Sequence, residues 1–355
     1  MFQLLLYNIL SSLNKSIMGK YNKVYVIAPY AFATGGVELS HQLVDFLRNH
    51  NQEAYIVYVK DDEIVDTNIV TENYKKYNIA LSNTIEDDKR NMLVLPEIFF
   101  DFVFRYRNIN IGCWWMSVDG RYKYTSTSFW ESLRFNNRFI EILKLVKRII
   151  CYPSLFKKNS NKMLLKEDYR ITHFYQSAYA QHHLYNKGFS KVLPLSDYIN
   201  TEFFTQHTAD RQNIVLYNPS KGKEFTNKLI EFSKGVEFVP LKGLSREELV
   251  ALMNKAKLYI DFGEFPGKDR LPREAIINGC VILTGKLGAS YFYEDVAISQ
   301  DYKIETRKSN IPLIKERIDY IFGHYEDCYK DMGLYKSRIL EEKEIFYKEI
   351  EKAFI

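Results

Sequence analysis

Short blocks of β-branched and aromatic residues recur along this chain, separated by stretches whose apolar positions follow a helical period. In the first half, Lys23–Tyr30, Glu53–Val59, Met92–Leu95, Asn108–Trp115, Ile171–Tyr175 and Lys191–Leu195 read as strands. Helices are predicted from Leu39 to about Arg48 and over Ala178–Tyr185, the latter stopped at Gly188. The second half repeats the alternation more regularly. Strands are expected at Asn213–Tyr217, Glu237–Pro240, Leu258–Phe262 and Cys280–Thr284, with helices at Lys223–Phe232 and Arg246–Ala256. A further helix opens near Pro272, because proline is tolerated in a first turn that needs no backbone N–H, and Gly279 ends it. From Ile311 onward the pattern is helical and charged. Strand–helix alternation of this kind predicts an α/β protein built on doubly wound parallel sheets.

Length turns that pattern into two domains. At 355 residues the chain exceeds one ordinary α/β core. The expected division is an amphipathic extension over 1–20, a first Rossmann-like domain over 21–197, a second over 198–335, and a terminal helix over 336–355 that returns across to the first domain. Phe2, Leu5, Leu6, Ile9, Leu10, Leu13 and Ile17 give the extension its apolar stripe. It is too interrupted for a signal peptide and is open to three readings: a helix on a membrane surface, one packed on the body, or residues upstream of a start at Met18.

Composition is that of a soluble globular enzyme, 46% hydrophobic and 26% charged, with a high aromatic share of 15% that would suit sugar-handling surfaces as well as a tyrosine-rich core. The four cysteines stand far apart with no C-x-x-C, so neither zinc nor a disulfide framework is suggested and a cytoplasmic location fits. No apolar run approaches the roughly 20 residues needed to span a bilayer. Positive charge is concentrated in a helix-like insert over 121–170, which holds twelve basic residues against four acidic ones. Such a surface suits anionic lipid headgroups, placing the protein peripherally on the inner face of a membrane, or an anionic acceptor glycan, or only solvent. Nucleic acid is not an expected partner.

Candidate chemistry gathers at turns that follow strands, where parallel sheets bind ligands and helix N-termini attract anions. After the first strand come Gly35, Gly36 and Glu38. After the strand ending at Tyr217 come Asn218, Lys221 and Gly222. After the strand ending at Phe262 come Lys268, Arg270, Arg273 and Glu274. Cations suit a diphosphate and a carboxylate suits paired sugar hydroxyls. Asp119 stands just past a strand end and is read either as a base or as a turn aspartate capping backbone. His173, within a strand, is either a base or a satisfied structural histidine. The acidic runs at 61–63 and 86–88 read as solvated loops, and no Asp-x-Asp metal signature occurs.

Three of these turns carry a resemblance. Glu274–Ala275 followed by Gly279 resembles the E-A-x-x-x-G segment of GT-B glycosyltransferases, above all the large retaining family with an E-x7-E motif. The Gly35–Gly36–Val37–Glu38 turn and the Lys221–Gly222 pair are similar to that fold's other two donor-side turns. The resemblance implies a GT-B fold, with two Rossmann-like domains facing across a cleft, and a nucleotide-sugar donor held without a metal or resident cofactor. Lys221 would then lie on the donor diphosphate and Glu274 by the ribose, with Arg270 and Arg273 aiding the leaving group electrostatically. The sequence departs from the pattern twice: Pro266 stands where the first Glu belongs, with Glu264 the nearest carboxylate before it, and Leu216 stands where an arginine partner of Lys221 belongs. Retention is implied by the Glu274 segment, whereas inversion would call on Asp119, Glu38 or His173 as base. The implied function is sugar transfer to a bacterial surface glycan or a lipid-linked acceptor. A nucleotide-sugar epimerase on the same fold and a non-catalytic glycan- or partner-binding homologue stay open as alternatives.

Overall fold

The computed structural model describes residues 19–31, 34–122, 142–143, 146, 161–200 and 210–355. Nearly all of the amphipathic extension and most of the basic insert, with the surface roles expected of them, lie outside the described residues. The chain divides into two compact units. The first comprises Met1–Gln176, Ala180–Leu195 and Phe346–Ile355, and the second Ser177–Tyr179 and Ser196–Ile345.

The first unit opens with β1 (Lys23–Pro29), α1 (Gly35–Asn49), β2 (Glu53–Lys60) and β3 (Glu63–Ile64). It continues through β4 (Met92–Pro96), β5 (Asn110–Trp115), the short α2 (Val118–Tyr122), β6 (Ile171–Tyr175), α3 (Ala178–Lys187) and β7 (Val192–Pro194). The strands form one seven-stranded sheet in the order β3-β2-β1-β4-β5-β6-β7, parallel except for β3. The continuous apolar runs of β1 and β4 follow from their central place, since such strands are buried on both faces; Val24, Val26, Ile27, Leu93 and Val94 are fully buried. Phe346 stacks on Trp114 at 6.3 Å and Phe354 lies 5.5 Å from Phe174, so the last residues of the chain complete this core.

The second unit carries β8 (Gln212–Tyr217), α4 (Lys223–Phe232), β9 (Glu237–Pro240), α5 (Arg246–Lys255), β10 (Ala256–Asp261), α6 (Arg270–Ile277) and β11 (Val281–Thr284). Two longer helices follow, α7 (Ile311–Gly323) and α8 (Gly333–Phe354), the latter belonging to the first unit from Phe346 onward. Its four strands are all parallel, in the order β11-β10-β8-β9. Ser245 caps α5 with a full capping box, its hydroxyl accepting the Glu248 N–H while the Glu248 carboxylate accepts the Ser245 N–H at 2.7 Å. Gly279, at φ +91°, takes the left-handed turn that ends α6.

Both acidic runs are more than solvated loops. Asp61 and Asp62 both have left-handed backbone, φ 51° and 65°, and form the two-residue turn joining β2 to the antiparallel β3. Asp87 accepts backbone N–H groups from Arg107, Asn108 and Ile109 at 2.8–3.0 Å and pins the entry to β5. The preference of short acidic side chains for turns and local backbone donors explains both.

Strand order locates the sites. The first sheet reverses its winding between β1 and β4, and the second between β8 and β10. At such switch points the connections diverge to opposite faces, leaving a crevice outside the carboxyl ends of the two strands.

Candidate functional site

At the switch point of the second unit, the turn after β8 meets the loop after β10. Gly222 has φ +55°, and a Cβ there would stand 2.8 Å from Phe262 O. A Cβ on Gly263 would stand 2.4 Å from the Lys221 Cβ. The two backbones therefore interlock only because each presents a glycine, and Lys221 is held over the strand ends. Its Nζ donates to Asp269 Oδ2 at 2.5 Å and lies 5.7 Å from the centre of the Phe265 ring. Asp261, the last residue of β10, accepts from Gly263 N–H at 2.9 Å and from the Tyr259 hydroxyl at 3.1 Å. Gly288, at φ +57°, closes a third turn onto the same loop: a Cβ there would overlap Phe265 O, and Ala289 N–H donates to that oxygen at 2.8 Å. Three turns thus converge on one lysine and two aspartates beside the start of α4. Gly263→Ala is expected to cost about 1–3 kcal/mol through overpacking against the Lys221 Cβ. A lower thermal midpoint together with weaker nucleotide binding would show it, and an unchanged midpoint would refute the interlock.

Burial pushes Asp261 up to about 6, although the neighbouring Lys221 opposes the shift. The folded state consequently holds this proton more tightly than the unfolded chain. Asp261 favours folding at acid pH, and that contribution drains away as pH rises from the ordinary value of 3.8 through about 6. Asp261→Asn should flatten the pH dependence of stability in that window, measured as the difference in thermal midpoint between pH 4.5 and 7. The same slope in the variant would contradict the assignment.

The other cations singled out on this loop do different work. Arg273 is fully buried, and all five of its donors are used inside the protein. Nη1 and Nη2 grip Asp197 in a fork at 3.0 and 2.6 Å, and Nη1 also reaches Glu342 at 2.6 Å. The remaining donors reach the backbone oxygens of Asp269 at 3.1 Å and Lys268 at 3.0 Å. Lys268 Nζ joins the same cluster, 2.8 Å from Glu342 and 3.6 Å from Asp197. Burial alone would raise Asp197, but Arg273 and Lys268 together hold it below the usual carboxylate range. The expectation that Arg273 and Lys268 face a donor diphosphate is therefore corrected: buried charges must be paired, and Asp197 and Glu342 supply the partners. Arg270 opens α6, and Glu274 is buried in that helix. Asn218 accepts Ser220 N–H at 3.0 Å and shapes the turn before Lys221.

In the first unit, Gly35 and Gly36 open α1 at the β1 side of its switch point. A Cβ on Gly36 would approach Met116 Sδ to 3.3 Å. Glu38, in the first turn, is buried, accepts the Tyr77 hydroxyl at 2.8 Å and lies 3.5 Å from Lys76 Nζ. Asp119 is half-buried in α2. On the β4 side stands Glu97, a buried carboxylate that the sequence reading passed over as the residue ending a strand.

His173 is not brought to either switch point. It is fully buried on β6, its ring 4.1 Å from that of Phe189. Trp115 Nε1–H donates to its Nδ1 at 3.0 Å, while Nε2 lies 3.2 Å from Asp168 Oδ1. Burial pushes it down to about 4, so the ring is neutral, and its single lone pair is spent on the tryptophan. A base role for His173 is corrected on that ground. Asp197, Asp261, Asp269 and Glu342 were likewise missed. The signals for Asp261 and Glu97 were present, since each is a carboxylate closing an apolar run, LYID and MLVLPE.

The sequence matches no protein-family model and no curated protein. Solved structures do match. HepE of Anabaena, in complex with UDP-glucose, aligns over 93% of this chain and 98% of its own at a TM-score of 0.57 and 8% identity. Trehalose-6-phosphate synthase from E. coli, bound with UDP-2-fluoro glucose, aligns over 93% and 99% at a TM-score of 0.53 and 8% identity. TarM aligns at 14% identity over 74% of this chain, which spans only 56% of TarM. The fold that the HepE and trehalose-6-phosphate synthase alignments define is that of the GT-B glycosyltransferases.

Proposed function

We propose that this protein is a glycosyltransferase that takes its sugar from a nucleoside diphosphate donor, with uridine the favoured base. The observation that carries this reading is the interlocked Lys221–Gly222 and Phe262–Gly263 turn at the switch point of the second sheet. A fixed ammonium over the strand ends, beside the N-terminus of α4, is suited to a diphosphate and to the charge that develops as it leaves. The fold agrees, since HepE and trehalose-6-phosphate synthase bind UDP-sugars. The acceptor is proposed to be a surface glycan or a lipid-linked sugar, and the donor to be held without metal. Among the described residues, no group of three or more potential ligand side chains could hold an ion, and no helix is long and apolar enough to cross a membrane. Retention is favoured by the Glu274–Ala275 segment, and inversion requires a carboxylate to take the acceptor's proton. The experiment is a thermal-shift panel of UDP-, GDP-, CMP- and TDP-sugars with and without EDTA, followed by transfer to glycoside acceptors. An EDTA-insensitive rise with one nucleotide family supports the reading, because a ligand binding only the native state raises its midpoint by mass action. No rise with any of them would refute it.

A second reading has an observation in its favour. The Arg273 donors are consumed internally, Leu216 replaces an arginine, and Asp261 and Asp269 bracket the lysine, so the site is poor in net positive charge. A non-catalytic homologue that binds glycan alone would show no nucleotide response and no transfer.

A further inference from the structure

The turn that carries Lys221 holds one ammonium and two carboxylates, and the carboxylates are not alike. Asp269 is ion-paired, its Oδ2 accepting Lys221 Nζ at 2.5 Å. Asp261 has neutral donors instead, the Gly263 N–H on Oδ1 at 2.9 Å and the Tyr259 hydroxyl on Oδ2 at 3.1 Å. Yet Asp261 stands against the same lysine. A Cβ on Gly263 would lie 3.1 Å from Asp261 Oδ1 and 2.4 Å from the Lys221 Cβ, so carboxylate and lysine stem flank one glycine. With all three groups ionised the turn carries net negative charge before any ligand arrives. A diphosphate adds more, and buried like charges this close favour taking up a proton over staying ionised together.

Resting on the transferase reading above, we propose that Asp261 is the proton site of this turn: a nucleoside diphosphate binds together with a proton on the Asp261 carboxyl, so that pH sets donor affinity. The proton comes from solvent, forms an O–H bond on Asp261, and returns to solvent when the diphosphate leaves. Geometry selects Asp261 over Asp269, because a carboxylate gripped by an ammonium gives up its charge less readily than one held by a phenol and an amide. The protonated carboxyl still has an acceptor oxygen for the Gly263 N–H, so the interlocked turns survive the change. Burial agrees, pushing Asp261 up to about 6, with Lys221 opposing and Asp269 adding to the rise. Burial raises Asp269 as well, against both the charge and the hydrogen bond of Lys221. Burial also keeps the Tyr259 phenol protonated, and Glu274 reinforces this from α6. On the β11 side Asp261 is paired with the neutral Thr284, and Lys303 stands one position further out.

The sign follows from reciprocity: an anion favours the protonated carboxyl, and the proton favours the anion. Affinity should be level below pH about 6 and fall above it, by up to about tenfold per pH unit. The test is isothermal titration of the full chain with UDP-glucose, whose diphosphate is esterified at both ends and does not titrate near neutrality. Buffers of different ionisation enthalpy report the protons taken up. Wild type should take up part of a proton near neutral pH, whereas Asp261→Asn should take up none and bind equally at acid and neutral pH. Tyr259→Phe removes a hydroxyl that favours the ionised carboxyl, so its fall in affinity should begin at higher pH than in wild type. That variant decides the matter should Asp261→Asn not fold. Wild-type binding without proton uptake, uptake that survives in Asp261→Asn, or an unmoved fall in Tyr259→Phe would each overturn the assignment. A wild type that binds no UDP-glucose at any pH takes down the transferase reading itself, and the proton site with it.

Discussion

Arg273→Met is expected to destabilise the second unit by about 3–5 kcal/mol, because removing one partner of a buried ion cluster strands the others. For a body of this size that corresponds to a fall in Tm of the order of 10 °C. Asp197 and Glu342 would keep Lys268, at 3.6 and 2.8 Å, in place of a guanidinium that meets both carboxylates and two backbone oxygens. Arg273→Lys should recover little, since an ammonium cannot reproduce the planar fork on Asp197. The two backbone oxygens belong to Lys268 and Asp269, and Asp269 receives Lys221. Losing the arginine therefore also loosens the loop that sets the lysine, and nucleotide binding should weaken in any Arg273 variant that still folds. A Tm within about 2 °C of wild type, on the same scale of stability per degree, would mean that the cluster contributes no net stability.

That cluster also marks where the sequence stops being legible. Periodicity and end signals located the parallel strands and main helices to within a few residues. Buried parallel strands are nearly continuous apolar runs, and Gly188 and Gly279 both take positive φ just past helix ends. The tiny β3 was lost because a two-residue strand has no period. The Lys221–Gly222 turn was visible as a motif, and the reason for its glycine became clear only when Gly222 was seen against Phe262 O. The charges were harder. Lys268, Arg270 and Arg273 look equivalent in sequence, and their roles diverge because Asp197 and Glu342, distant along the chain, fold onto two of them. His173 was misjudged for the same reason. Which side chain faces a crevice and which a ring in the core depends on strand order, and no local pattern encodes that order.

Lys221→Ala is expected to weaken UDP binding by about 10–150-fold, the range for losing a charge-assisted hydrogen bond worth roughly 1.5–3 kcal/mol. In the free protein Lys221 is already paired with Asp269. Binding must exchange that internal anion for the ligand's. Removing the lysine consequently does two things: it deletes the attraction and leaves Asp269 and Asp261 unscreened beside an anionic ligand. Asp269→Asn should act in the opposite sense, tightening UDP binding several-fold, because the lysine no longer has a competing carboxylate and one source of repulsion is gone. The pair should then be non-additive in a double-mutant cycle, since Asp269→Asn frees the ammonium for the ligand only while Lys221 is present and otherwise removes repulsion alone. Isothermal titration with UDP at fixed salt measures all four corners of that cycle. If Asp269→Asn instead weakens binding in step with Lys221→Ala, the aspartate orients the lysine toward the phosphate, and the exchange of partners is excluded.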